Sequence, residues 1–154
     1  MPPLRTKYFG ELDYSSESVF HFEDGIPGFE DQTEFVFIDQ PRTHPLVFMQ
    51  SLNRPGLCFI AVPTSVAQAG YQPKLSAEDR ETLGLPPFAD LQIGRDILCL
   101  ALVTVVEGSG PTVNLASPIV LNLFNQKGLQ AIQEASERSF RHPLVAQEGA
   151  LSCS

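Results

Sequence analysis

The chain has 154 residues, a length suited to one domain that buries roughly two thirds of its unfolded surface. Ten basic and eighteen acidic side chains give a formal charge of −8 with no run of Lys and Arg. Direct DNA or RNA binding, which needs cations to displace phosphate counterions, is therefore disfavoured. At 43% hydrophobic and 18% charged residues, the composition is globular and excludes a disordered chain.

The N-terminus, MPPLRTKYFG, has no apolar h-region, and residues 1–5 read as a frayed tail. Val19, Phe20 and Phe22 start the first apolar run. It enters a segment, FEDGIPGFEDQTE at 22–34, that holds two glycines, a proline and five carboxylates. FVFI at 35–38 and LVFMQSL at 46–52 follow, and NRPG at 53–56 ends the second of these runs. There Pro55 presets φ and Gly56 takes φ > 0, which predicts a type II turn and an antiparallel pairing of 57–62 with the run before it.

SAEDRETLG at 76–84 is a short helix. Ser76 is its N-cap, Glu78 and Asp79 face the positive end of the dipole, Gly84 closes it, and Pro86-Pro87 forbids continuation. About two turns long and without a hydrophobic staple, it depends on packing rather than propensity. ILCLALVTVV at 97–106 is apolar on both alternating faces; its β-branched content and the GSGP that ends it predict a strand buried on both sides. The run is too short to span a bilayer as a helix. Residues 112–115, 118–124 and 129–133 continue the strand pattern, with 125–128 (NQKG) as a hairpin turn. His142-Pro143 fixes an extended bend that closes the barrel or presents a cationic point beside Arg141. Residues 145–154 read as a second tail. About eight short strands with Gly and Pro turns and one helix predict an all-β, mainly antiparallel, barrel-like single domain over 6–144.

Cys58, Cys99 and Cys153 are odd in number, far apart and without C-x-x-C spacing, which points to a reducing cytoplasm. Several chemistries fit poorly. The carboxylates Glu23, Asp24, Glu30, Asp31 and Glu34 sit in a turn-rich, solvated segment, whereas acid–base catalysis needs two carboxyls in contrasting environments. The same loop lacks the ligand order of an EF-hand, and His21, His44 and His142 are isolated from one another and from every cysteine, so no metal or other cofactor is implied. Cys58 and Cys99 lie inside apolar runs, where a thiol acts as a small hydrophobe. No phosphate-cradling glycine motif is present. A cysteine-dependent hydrolase and a single-stranded nucleic-acid barrel are thus the alternatives to a soluble, non-enzymatic binding module.

FEDGIPGFED at 22–31, QSLNRPGLCFIAVP at 50–63, the helix at 75–84, TVNLASPIVLNLFNQKG at 112–128 and RHPL at 141–144 together resemble the flagellar assembly factor FliW family, in the family's order from Thr6 to Leu144. QPRTHP at 40–45 is richer in proline than the family pattern. The resemblance implies a small cytoplasmic β-barrel-like protein without enzymatic activity. It would bind flagellin and the translational regulator CsrA, and release of flagellin would free it to antagonise CsrA. The expected partner-binding residues are Glu23, Asp24, Phe29, Glu30 and Asp31 from the acidic loop, with Gln50 and Asn53 on the neighbouring hairpin. The competing expectation is structural: Phe29 plugs the barrel end, Gly25 and Gly28 serve turn geometry, and the acids solubilise.

Overall fold

The computed structural model describes residues 4–133 and 140–144. Its strands are β1 (Leu4–Thr6), β2 (Gly10–Leu12), β3 (Val19–His21), β4 (Glu34–Asp39), β5 (Val47–Ser51), β6 (Cys58–Pro63), β7 (Ile97–Thr104), β8 (Thr112–Val113), β9 (Ile119–Asn122), β10 (Lys127–Gln130) and β11 (His142–Pro143). Helix α1 (Thr64–Ala67) is a single turn, and α2 (Ala77–Leu83) is the helix expected from the sequence. The strand total exceeds the expected eight because β1, β2 and β11 are two- or three-residue pairings without an apolar run of their own.

Strands β7-β6-β5-β4-β3-β10-β9 are hydrogen-bonded in that order, and β9 pairs back onto β7, so the sheet closes into a barrel. Its pairings are antiparallel except β3 with β10, which are parallel and joined at the single pair His21 and Lys127. Beyond the barrel, β8 pairs with β7 and β11 with β8, so His142-Pro143 extends the sheet outside the closed ring and does not itself close the barrel. His142 Nε2 also lies 3.2 Å from the Ala67 carbonyl.

Side-chain alternation sorts the apolar residues into three clusters. Phe22, Phe35, Met49, Ala61, Leu100, Ile119 and Leu121 fill the barrel interior, with Phe22 and Phe35 edge-to-face at 5.4 Å. The opposite face of β7 and β9, through Ile97, Cys99, Ala101 and Val120, packs beneath the segment that carries α2, with Tyr71, Leu83 and Leu85. The Tyr71 hydroxyl secures that cover by donating to the Leu115 carbonyl at 2.7 Å. Strand β7 therefore feeds one core with Leu98 and Leu100 and the other with Ile97, Cys99 and Ala101, as the unbroken apolar run predicts.

The third cluster corrects the N-terminal boundary. Leu4 is buried against Val19 and Val36, and Arg5 pairs with Glu11 across β1 and β2, so these two residues belong to the fold. Residues 1–3 and the expected tail at 145–154 lie outside the described residues.

Two turns also differ from expectation. The turn at 54–57 closes through Leu57 N–H donating to the Arg54 carbonyl at 2.9 Å, but Gly56 has no positive φ and the turn is not type II. The Pro55 carbonyl is held by Lys7 N–H at 3.0 Å and by the Gln50 amide at 3.2 Å, which fixes the central peptide in the other orientation. The β9–β10 hairpin turns at 123–126, with Gln126 at φ 60, rather than at 125–128. Gly128 instead lies within β10, because the Phe22 ring fills the space beside it: a Cβ there would sit 2.5 Å from Phe22 Cζ and 2.8 Å from Leu121 Cδ2. Gly128→Ala is expected to destabilise the protein by about 1–3 kcal/mol through overpacking. Urea denaturation checks this, and an unchanged midpoint would exclude the close approach.

Candidate functional site

The acidic loop takes its shape from the residues that leave β3. Phe22 N–H donates to the Thr33 carbonyl at 2.8 Å, keeping the loop base in the sheet, and Gly25 N–H donates back to the Phe22 carbonyl at 3.0 Å, turning the chain outward. Gly25 stands at φ +66 with Glu30 backbone so close that a Cβ would lie 2.7 Å from its Cα. Ile26 and Phe29 then bridge, with Phe29 N–H donating to the Ile26 carbonyl at 2.6 Å. Pro27 and Gly28, at φ +90, occupy the central positions, so the type II turn expected at Pro55-Gly56 occurs here instead.

This geometry separates the residues singled out in the sequence. Phe29 is half-buried, edge-to-face with Phe59 at 5.4 Å, and Arg54 lies over its ring at 5.9 Å. It is part of the barrel end. Glu23, Asp24, Glu30 and Asp31 are exposed, and the Glu30 carboxylate accepts from Gly28 N–H at 2.9 Å. Asn53 is exposed on the β5–β6 turn. Gln50 is a correction: it is fully buried, its amide donates to the Ser51 carbonyl at 3.0 Å and to Pro55, and it offers no surface to a partner. The hairpin β1–β2, packed over this face of β4 and β5, covers it.

Glu23, Asp24 and Glu30 face a cleft of about 310 Å³ whose other wall is α2, through Glu78, Asp79 and Thr82, and whose floor is Gly128, Leu129 and Gln130 of β10. Asp31, Phe29, Gln50 and Asn53 do not line it. None of the cleft acids Glu23, Asp24, Glu30, Glu78 and Asp79 forms an ion pair among the described residues, whereas Glu34 at the loop base lies 3.6 Å from His21 Nδ1. Glu78 and Asp79 escape a sequence reading because their placement in the first turn of α2 is already explained by the dipole. What brings them opposite the loop is the docking of α2 on β10.

That docking is specific. Ser76 Oγ accepts from Asp79 N–H at 2.9 Å and the Asp79 carboxylate accepts from Ser76 N–H at 3.3 Å, a capping box in place of a staple. At the other end the Leu83 carbonyl accepts from Asn122 Nδ2 at 2.7 Å and from Asn125 Nδ2 at 2.9 Å. The helix is thereby tied to the β9–β10 hairpin.

The thiols are poorly placed for chemistry. Burial pushes both Cys58 and Cys99 up to about 11, the latter against a hydrogen bond with Thr64 that acts in the opposite direction. Among the described residues no group of three or more His, Cys, Asp or Glu side chains is arranged to hold a metal ion, and no helix is long and apolar enough to cross a membrane.

The architecture is that of a small closed antiparallel barrel with an acidic cleft along one seam. The FliW protein family pattern matches residues 3–144. The chain is 30% identical over 146 residues to the flagellar assembly factor FliW of Caldanaerobacter subterraneus subsp. tengcongensis, covering 94% of this chain and 93% of that one. It is 33% identical over 139 residues to the factor of Thermotoga sp. strain RQ2, at 90% coverage of each. With the Bacillus subtilis factor it shares 28% identity over 142 residues, covering 92% of this chain and 95% of that one. A crystal structure of the flagellar assembly factor FliW superimposes with a TM-score of 0.80 at 27% identity, covering 95% of this chain and 99% of the other. The chain belongs to the FliW family of flagellar assembly factors.

The raised thiols have a measurable consequence. At pH 8 the thiolate population of Cys58 and Cys99 should fall about 100-fold below that of an ordinary thiol. Native alkylation followed by peptide mapping should leave both unmodified until urea is added. Because the folded values lie above the unfolded ones, the stability held by the neutral thiols is complete below about pH 9 and is lost as pH rises toward about 11.

Proposed function

We propose that this protein acts in the cytoplasm as a non-enzymatic flagellar assembly factor. It binds flagellin and, when flagellin is exported, binds CsrA and relieves its repression of flagellin translation. The observation that carries this reading is the family match across nearly the whole chain. The acidic cleft supports it. CsrA binds RNA and carries basic surface, which a chain of formal charge −8 attracts, while the same charge disfavours RNA binding by this protein itself.

The docking residues in this reading are Glu23, Asp24, Glu30 and Asp31 of the loop, with Asn53 and the edge of Phe29 beside them. Glu78 and Asp79 of α2 join them because they share the cleft. Burial raises the thiols of Cys58 and Cys99, which weighs against a hydrolase that would use either of them as nucleophile.

Calorimetry with the cognate flagellin and with CsrA tests the proposal, and binding to at least one is expected at low salt. The triple variant Glu23→Lys, Asp24→Lys, Glu30→Lys should weaken a basic partner's binding at least about tenfold, mostly by slowing association. No binding of either protein to the folded wild-type chain would reject the reading. Unchanged affinity in the folded triple variant would show that these acids only solubilise the loop.

A further inference from the structure

The floor of the acidic cleft is a strand whose outer edge has lost its neighbour. Ala131 N–H donates to the Pro118 carbonyl at 2.8 Å and Gln133 N–H to the Ala116 carbonyl at 2.7 Å, so the odd-numbered residues of this stretch direct their backbone groups toward β9. The even-numbered residues therefore face the β3 side, where the Gln126 carbonyl accepts from His21 N–H at 2.8 Å. That contact accompanies the single pair of β3 with β10. After it the chain turns away at Gly25, and the Gly128 carbonyl and the Gln130 N–H and carbonyl have no backbone partner among the described residues. Both residues line the cleft between the loop and α2, Gly128 buried and Gln130 half-buried.

An unpaired strand edge is a template for another strand. At about 310 Å³ the cleft is within the size range of ligand clefts, and its walls carry Glu23, Asp24, Glu30, Glu78 and Asp79. We propose that the open edge of β10 accepts an extended segment of a partner protein, with Lys or Arg at alternate positions, as an added strand. Backbone hydrogen bonds to Gly128 and Gln130 supply the register. Successive side chains of the incoming strand then point to opposite walls, so cations at alternate positions share one wall of carboxylates, because side chains in a strand repeat with period two. The inference gives the cleft its partner chemistry and rests on the docking reading only for which protein carries the segment.

Gln130 permits a direct test. Its N–H faces the cleft and not the β9 ladder, so Gln130→Pro removes the edge donor while leaving the ladder bonds in place. Gln130→Ala is the control, since both variants lose the side-chain bond to the Ser117 carbonyl. The probe is a capped peptide of alternating lysine and valine, measured by calorimetry on the full chain. Gln130→Ala should bind it like the wild type, and Gln130→Pro about tenfold more weakly. In the wild type, the Gln130 amide should exchange with solvent rapidly when free and at least about tenfold more slowly with peptide bound. Methylation of alternate peptide amides should abolish binding, which tests the proposal even if Gln130→Pro does not fold.

Equal binding by the two variants, indifference to amide methylation, or a Gln130 amide already protected in the free protein would each overturn strand addition. A dimer of the free protein that Gln130→Ala keeps and Gln130→Pro loses would assign the edge to a second copy and overturn it as well. If the peptide binds as described while flagellin and CsrA do not, the partner reading falls and strand addition stands. If flagellin or CsrA binds but none of the edge changes matters, the converse holds.

Discussion

Strand β7 governs the architecture because it serves two cores and joins three neighbours. One edge pairs with β6 at 100–102, and the other pairs first with β9 at 97–100 and then with β8 at 103–104. Its side chains alternate between the barrel interior and the layer beneath the α2 segment. Each fully buried aliphatic side chain contributes about 1.5–3 kcal/mol. A polar residue on either face would therefore weaken one core without relieving the other. Closure through β7 and β9 also leaves no long sheet edge exposed around most of the barrel.

The cleft follows from the one place where this closure is thin. Parallel pairing of β3 with β10 lasts for a single residue pair, and the loop that departs there carries its glycines where φ > 0 or close backbone contact demands them. The loop is anchored underneath by Ile26 and Phe29, which join the interior cluster. Its acids are left on the outside as the chain folds back. The opposing wall comes from a helix too short to stand alone, fixed by its capping box and by two asparagines.

Much of this was readable in the chain. The two-sided burial of β7 was visible as a run apolar on both alternating faces, and the bounds of α2 were visible in Ser76 and Gly84. The antiparallel pairing of β5 with β6 followed from the turn residues between them, although the turn type did not. Long-range relations were not readable. Nothing local to Glu78 or Asp79 signals that they face Glu23, since that juxtaposition depends on α2 docking on β10. Gln50 misled for a related reason. Strand alternation assigns a polar side chain to the outer face, and it does lie there, but β1 and β2 cover that face and turn it into interior. The pattern NQKG marks Gly128 as a turn residue, whereas its true determinant is the ring of Phe22, more than a hundred positions away in the chain.

The shared grip of Asn122 and Asn125 on the Leu83 carbonyl bears on how the cleft behaves mechanically. Two amides converging on one oxygen fasten the end of α2 to the same hairpin that supplies the floor, so that helix and floor shift as a unit. The opposite wall is rooted in the barrel interior and answers to a different part of the sheet. The gap between the jaws is thus set by the stiffness of the barrel rather than by the wandering of a free loop. A segment docking as proposed would meet two walls that are both tied to the barrel before it arrives, which lowers the entropy cost of ordering them.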